Sequence, residues 1–366
     1  MKPANFLFAF SLALCGCTVT RVVINNAPRP DDHKYEHRVA LPRSAAPVCF
    51  AQSASAVSGI DTLLEDRNTC AFLVLQGDSL CYSYYDFGCC DTTQLCLFSG
   101  SKSFISTLIG IAIDQGFIGS SQDLLSDYLP CTAALISDSV RICDLLDMRA
   151  GFRENGYTTA RLYYSPRVYR ELAHVKPNRP HGEFHYSSLC TQLLTALLLQ
   201  ATGMEPADYL ERNLWEPLRM VCDGYVCTDA AESGRILGFS GMCCTPEDAL
   251  KLSVLYRDGG VFMGERVVSE QWIDECLNPK VMSDDKNGAC YNRHWYVLVP
   301  GREFYAKGLF GQYLYVNRDT DTVIARFGVE QGSADWIEMF RMISDALSAP
   351  SEAGSRPCAE SRSGDV

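Results

Sequence analysis

Ser99-Gly100-Ser101-Lys102 places a hydroxyl and an amine three residues apart. On the first turn of a helix, positions i and i+3 share a face, so the lysine can reach the serine. Burial and the positive end of the helix dipole both disfavour ammonium. A lysine held there can keep a neutral amine and draw the proton from the serine. That is the chemistry of an activated nucleophile, although a serine at this place equally fits an ordinary helix cap. Of the eight lysines, one other follows a serine at this spacing, Ser283-Asp284-Asp285-Lys286. Two neighbouring carboxylates keep Lys286 charged and Asn287-Gly288 signals a turn, so that copy reads as a surface loop.

The elements around Ser99 suit a buried nucleophile. Upstream, Cys70–Leu75 and Leu80–Phe87 are β-rich and joined by the hairpin signal Gln76-Gly77-Asp78-Ser79. Downstream, Phe104, Ile105, Leu108, Ile109, Ile111 and Ala112 recur at the spacing of an amphipathic helix that Gly116 stops. Ala56–Arg67 predicts a helix, and the middle of the chain predicts six more: Ile142–Met148, Ser165–His174, Leu189–Ala201, Pro206–Leu218, Thr245–Tyr256 and Ser269–Leu277. Strand patterns return at His294–Val299, Arg302–Ala306, Gln312–Asn317 and Thr322–Phe327, before a closing helix over Asp335–Leu347. The expected architecture is α/β in the α+β sense. One antiparallel sheet is built from both ends of the chain, with a helical insertion between.

Composition narrows the function classes. The 366 residues are 47% hydrophobic and 21% charged, a globular balance, with a net charge of −12 and no basic block. Nucleic acid is therefore not an expected partner, because phosphate binding is chiefly cation-driven. At the N-terminus, Phe6–Leu14 is an apolar run too short to span a bilayer, which needs roughly 20 residues. It reads as the core of a secretory signal. The following Leu14-Cys15-Gly16-Cys17 resembles a bacterial lipobox, with Cys17 as the lipid attachment point; the alternative is an ordinary signal peptide that contains cysteines. The expected organisation is a signal peptide over 1–16, a tether over 17–55, a catalytic body over 56–348 and a flexible tail over 349–366. An acylated, exported protein on a membrane, facing the periplasm or the cell exterior, follows. Of 18 cysteines, 16 remain once Cys15 and Cys17 are set aside. Export permits disulfides, but spacing does not fix their pairing. No CxxC occurs, and neither His33/His37 nor His181/His185 lies on a convincing helix, so no metal and no cofactor are expected.

Phe98-Ser99-Gly100-Ser101-Lys102-Ser103-Phe104 and Asp127-Tyr128-Leu129-Pro130 resemble the serine β-lactamase-related family. That family includes class C β-lactamases, penicillin-binding DD-peptidases, esterases and 6-aminohexanoate-dimer hydrolases. Leu145–Gly151, Phe184–Ser188, Gly241–Asp248 and Tyr305–Gln312 follow in the family's order, so the resemblance spans residues 56 to 348. It implies a β-lactamase/transpeptidase-like fold. It also implies that Ser99 attacks a carbonyl to form an acyl-enzyme, Lys102 takes its proton, and Tyr186 relays it to the leaving group. The backbone N–H groups of Ser99 and Leu309 would form the oxyanion hole, Leu309 following Gly308 on an edge strand. Ser188, Gly308, Leu309, Gly311 and Gln312 are the implied substrate-side residues, with glycine at 308 admitting substrate close to the backbone.

Two positions depart from the family pattern. Ser188 stands where an Asn is common. Ala306 stands where a Lys or His usually binds a carboxylate, and Lys307 comes one residue later. A one-residue shift along a strand turns a side chain to the other face, so Lys307 is expected to be a solvated surface charge. Both departures favour an esterase or amidase that acts on a small-molecule or peptide substrate. A β-lactamase or DD-carboxypeptidase is the alternative within the enzymes, and a non-catalytic sensor of the same fold the alternative outside them. Gly238-Phe239-Ser240-Gly241-Met242 lacks the last glycine of a nucleophile elbow, and His185 is expected to be structural.

Overall fold

The computed structural model describes residues 37–53, 59–64, 67–130, 139–174, 176–230, 234–279 and 288–348. The signal segment, Cys17, the Ser283–Lys286 copy and the tail lie outside them. In chain order come β1 (Arg38–Leu41), β2 (Ala51–Gln52), α1 (Ile60–Leu64), β3 (Thr69–Gln76), β4 (Ser79–Tyr85) and β5 (Leu95–Cys96). A 3-10 turn over Phe98–Gly100 runs into α2 (Ser101–Asp114). The helical middle holds α3 (Ile142–Leu146), α4 (Gly156–Tyr164), α5 (Val168–Leu172), α6 (Ser188–Thr202) and α7 (Pro206–Leu210). Next come β6 (Gly224–Cys227), β7 (Met242–Cys244), α8 (Pro246–Arg257), β8 (Val261–Phe262), β9 (Glu265–Arg266) and α9 (Glu270–Leu277). The chain returns through β10 (Cys290–Asn292), β11 (Trp295–Val299), β12 (Glu303–Gly308), β13 (Gln312–Asn317) and β14 (Thr322–Gly328) to α10 (Trp336–Ser348).

The main sheet has eight strands in the order β10-β11-β12-β13-β14-β3-β4-β2. The two ends of the chain meet where β14 pairs with β3, Ala325 opposite Leu73 and Arg326 opposite Phe72. All its pairings are antiparallel except that of β2 with β4. Side chains alternate between two buried faces. Ala71, Leu73, Leu75, Ala306 and Leu314 join the helical body. Phe72, Val74, Tyr305, Tyr313 and Ile324 pack under α1 and α10, against Ile60, Leu64, Trp336 and Phe340. Cover on both faces explains why β3 and β14 read as near-continuous apolar runs rather than alternating ones.

Three sequence expectations change. The tether is folded in part: β1 pairs with β6, β2 extends the main sheet, and the Trp215 indole donates to the Pro42 carbonyl at 2.8 Å. Pairing with strands far along the chain leaves no local periodicity. Second, α2 is buried all round from Ser101 to Ala112 rather than on one stripe. Its hydroxyls make this possible, because Ser103 donates to the His294 carbonyl at 2.8 Å and Ser106 to the Arg293 carbonyl at 2.7 Å. Gly110 also lets the Trp272 ring close in, since a Cβ there would lie 2.4 Å from it. Third, the helix expected over Ser165–His174 shortens to α5, and α4 forms upstream from weak helix formers, capped by Asn155 Oδ1 accepting from the Thr158 N–H at 2.9 Å.

A second sheet, β1-β6-β7-β5, lies beside the nucleophile turn. Cys96 and Cys243 face each other across β5 and β7 and are joined in a disulfide.

Candidate active site

Ser99 sits between β5 and α2, at a turn fixed from both sides. The Leu97 N–H donates to the Met242 carbonyl at 2.9 Å, and the Gly100 N–H to the Leu97 carbonyl at 3.0 Å. Phe98 adopts a positive φ of 47°, a sparsely populated conformation for a bulky side chain and one of the places where strain is stored. One helical step on, Lys102 is buried, and its Nζ lies 3.0 Å from Ser99 Oγ and 2.9 Å from the Phe239 carbonyl. Burial pushes this amine down to about 7, with the Glu154 carboxylate pulling the other way.

Tyr186 approaches from the loop before α6, and its hydroxyl is hydrogen-bonded to Ser99. Burial pushes the phenol up, and the Ser99 bond opposes this. Its ring stands 5.1 Å from Lys102 Nζ and packs edge-on against Tyr291, 5.7 Å between centroids. The structure therefore brings Ser99, Lys102 and Tyr186 together from positions up to 87 residues apart along the chain.

Ser99 and Tyr186 open onto a cleft of about 860 Å³, with Lys102 buried behind them. Tyr163, Tyr164, Tyr296, Leu309 and Phe310 give it aromatic and apolar walls, and Ser188, Gly308 and Glu154 also line it. Lys307 lines it too, half-buried, with its amine 5.4 Å over the Tyr313 ring and its charge felt by Tyr186. This corrects the expectation of a solvated surface charge. The parity argument holds within β12, where Lys307 shares a side with Tyr305 and Tyr313. The cleft, however, reaches that side, where Tyr296, opposite Tyr305 in the sheet, also lines it.

Gly308 has a different reason from the one expected. A Cβ there would meet the Leu97 carbonyl at 2.0 Å, so the close approach is of the chain to its own nucleophile turn. Phe98 and Phe310 lock the same contact, ring centroids 5.4 Å apart. Gly311 and Gln312 do not line the cleft. Gln312 is buried and shapes the loop behind Leu309, donating to the Leu309 carbonyl at 3.0 Å and the Gly328 carbonyl at 2.8 Å. Gly311 has a φ of 79° and gives its carbonyl to Arg326 Nη1 at 2.6 Å, where any Cβ would collide with that guanidinium.

Other candidates resolve into structure. Ser240 is buried and hydrogen-bonded to Tyr163. His181 reaches Asp144 at 2.8 Å and His185 reaches Glu183 at 3.3 Å. The residue that sequence reasoning missed is Glu154. Its Oε1 accepts from Ser187 Oγ and from the Leu189 N–H, each at 2.8 Å, and its Oε2 from Thr159 Oγ1 at 3.1 Å. No short-range motif announces it, because the two partners that tie it to the site, Ser187 and Leu189, lie more than 30 residues away at the start of α6.

Comparison with known proteins decides the family: the Beta-lactamase model matches residues 61–346. The chain belongs to the Beta-lactamase family. Within it, the chain is 28% identical over 299 residues to the 6-aminohexanoate-dimer hydrolase of Paenarthrobacter ureafaciens, covering 75% of this chain and 76% of that protein. A solved structure assigned as a 6-aminohexanoate-dimer hydrolase from Bacillus anthracis superposes with a TM-score of 0.75 at 18% identity, covering 86% of this chain and 92% of that one. A family VIII carboxylesterase superposes with a TM-score of 0.64 at 15% identity, covering 81% and 98%. This Beta-lactamase family member is a serine hydrolase with the β-lactamase/transpeptidase fold.

Proposed function

We propose that the chain is an exported, lipid-anchored hydrolase that cleaves an ester or amide through an acyl-enzyme on Ser99. The carrying observation is the Lys102 amine, buried, pushed down to about 7 and 3.0 Å from Ser99 Oγ. A neutral amine at that distance can accept the hydroxyl proton as Ser99 attacks the carbonyl. The Tyr186 hydroxyl, bonded to Ser99, then carries a proton to the departing alcohol or amine. The backbone N–H groups of Ser99 and Leu309 receive the oxyanion, and water resolves the acyl-enzyme with the same groups acting in reverse. The aromatic cleft and Ala306 at the usual cation position support an esterase or amidase that accepts apolar chains flanking the scissile bond. Lys307 in the cleft favours a second reading, a substrate bearing a carboxylate, such as a β-lactam or a D-Ala peptide. Export and acylation at Cys17 are supported by the N-terminal sequence.

Intact-mass measurement on a chain lacking residues 1–17 tests the reading, with a fluorophosphonate, an activated short-chain ester and a penicillin offered separately beside Ser99→Ala. A Ser99-dependent fluorophosphonate adduct, rapid ester turnover and no penicillin adduct are expected. A lasting penicillin adduct would favour a wall peptidase or sensor, and rapid penicillin hydrolysis a β-lactamase. No adduct with any probe would sink the nucleophile. For the anchor, Cys17→Ala should abolish metabolic labelling by an alkyne fatty acid.

A further inference from the structure

Glu154 is placed where the two proton-carrying groups meet. It comes from the loop before α4, lines the cleft, and is bonded to α6 on either side of Ser188. Ser187, the residue before α6, makes no capping bond with its own side chain. Its hydroxyl turns instead to Glu154, which accepts the Leu189 N–H in the manner of a cap and places its charge at the positive end of the helix. Tyr186 is the next residue back, so its backbone is held through Ser187. The Tyr186 ring packs edge-on against Tyr291 and beside the Lys102 amine, and its hydroxyl is bonded to Ser99, so the backbone anchor adds to these contacts in fixing it.

The charges around Lys102 make Glu154 singular. Lys102 is faced by the Ser99 hydroxyl, the Tyr186 ring, the Phe239 carbonyl, the Cys190 thiol on α6, and the His294 imidazole between β10 and β11. Burial pushes the Cys190 thiol up and holds His294 well below its usual range, so both are neutral. Arg293, next to His294, is paired with Asp147 at 2.5 Å. Of the groups acting on Lys102, Glu154 carries the negative charge.

Resting on the acyl-enzyme reading above, we propose that Glu154 is the positioning residue of this site: it pins the Tyr186–Ser188 corner to α6 and supplies the anionic field in which Lys102 and Tyr186 exchange a proton. Two substitutions separate these roles. Glu154→Gln keeps an oxygen for Ser187 and Leu189 and offers Thr159 a donor, but removes the charge. Glu154→Ala removes both.

The test is the pH profile of kcat and kcat/KM with an activated ester, using the full chain in detergent, with near-UV circular dichroism as a folding check. A carboxylate favours ammonium on Lys102, so its loss lowers the pH at which the amine becomes neutral. Glu154→Gln should therefore shift the acid limb toward lower pH while keeping plateau kcat within about fivefold. Glu154→Ala should lower kcat by on the order of 10²-fold with KM little changed, the effect of misplacing a reacting group by about an ångström. An acid limb of Glu154→Gln that overlays the wild type, or a Glu154→Ala that folds and keeps wild-type kcat, overturns the proposal. If Glu154→Ala does not fold, the Glu154→Gln profile decides alone. Undiminished turnover by Ser99→Ala would instead sink the acyl-enzyme reading, and this proposal with it.

Discussion

Replacing Lys102 by Met should stabilise the protein while abolishing turnover, and the gain should depend on pH in a defined way. In the folded state burial moves this amine from 10.5 to about 7, which corresponds to roughly 5 kcal/mol of disfavour for the ammonium. The sign follows from proton binding. Between pH 7 and 10.5 the unfolded chain holds the lysine proton and the folded chain does not, so stability rises with pH across that window. Below pH 7 both states are protonated and the whole penalty falls on the folded state. Met fills the same slot without charge, but leaves the Phe239 carbonyl without the 2.9 Å donor, a loss of about 1–3 kcal/mol. The net gain should be about 2–4 kcal/mol below pH 7, read as a Tm roughly 4–8 °C higher. It should then shrink by about 1.4 kcal/mol per pH unit above 7 and vanish between about pH 8.5 and 10. Thermal melts of both proteins at pH 6, 7, 8 and 9, with ester turnover alongside, check this. A Tm difference that does not change with pH, or a destabilised variant at pH 6, would refute the claim that Lys102 is held desolvated next to Ser99.

Other consequences are as direct. Wild-type kcat/KM for an activated ester should rise through an acid limb near pH 7, as the Lys102 ammonium loses its proton, and a limb near 10 would contradict the burial argument. Gly308→Ala puts a methyl 2.0 Å from the Leu97 carbonyl, so β12 must move away from Ser99. We expect a loss of about 1–3 kcal/mol in urea unfolding and a kcat drop of on the order of 10²-fold. Lys307→Ala should raise KM for an ester carrying a terminal carboxylate by about tenfold and leave its neutral methyl analogue unchanged, because Lys307 is the cleft cation not committed to Ser99. Equal effects on both esters would return Lys307 to a packing role. Breaking the Cys96–Cys243 bond with a Cys96→Ser, Cys243→Ser pair releases a constraint spanning 147 residues, for which chain entropy gives a loss of up to about 5 kcal/mol. The urea midpoint should fall accordingly, and an unchanged midpoint would mean that the bond does not form in solution.

What the sequence determined is local. Ser99 and Lys102 share a helical turn, so their meeting follows from 3.6 residues per turn. The strands β3, β4 and β11 to β14 were legible because each carries its own β-rich run bounded by turn residues, and α6 and α8 because apolar spacing and caps lie within one segment. Family motifs added Tyr186, a residue that composition alone leaves among 18 tyrosines. The tertiary structure decided whatever depends on distant partners. β1 is a strand because β6 pairs with it, its residues 183 to 189 positions on, and no window of sequence contains both. Glu154 serves the site because Ser187 and Leu189 come to it, and Gly308 is small because Leu97 lies against it. Gln312 carries a motif position yet is spent on holding Leu309 and Gly328. Lys307 enters the cleft because the cleft extends to the side of the sheet that Lys307 shares with Tyr296 and Tyr305, a relation that no window of sequence shows. Hydrogen bonds and steric contact act through space over about 3 Å, whereas the patterns that sequence exposes run along the chain, and only folding relates the two.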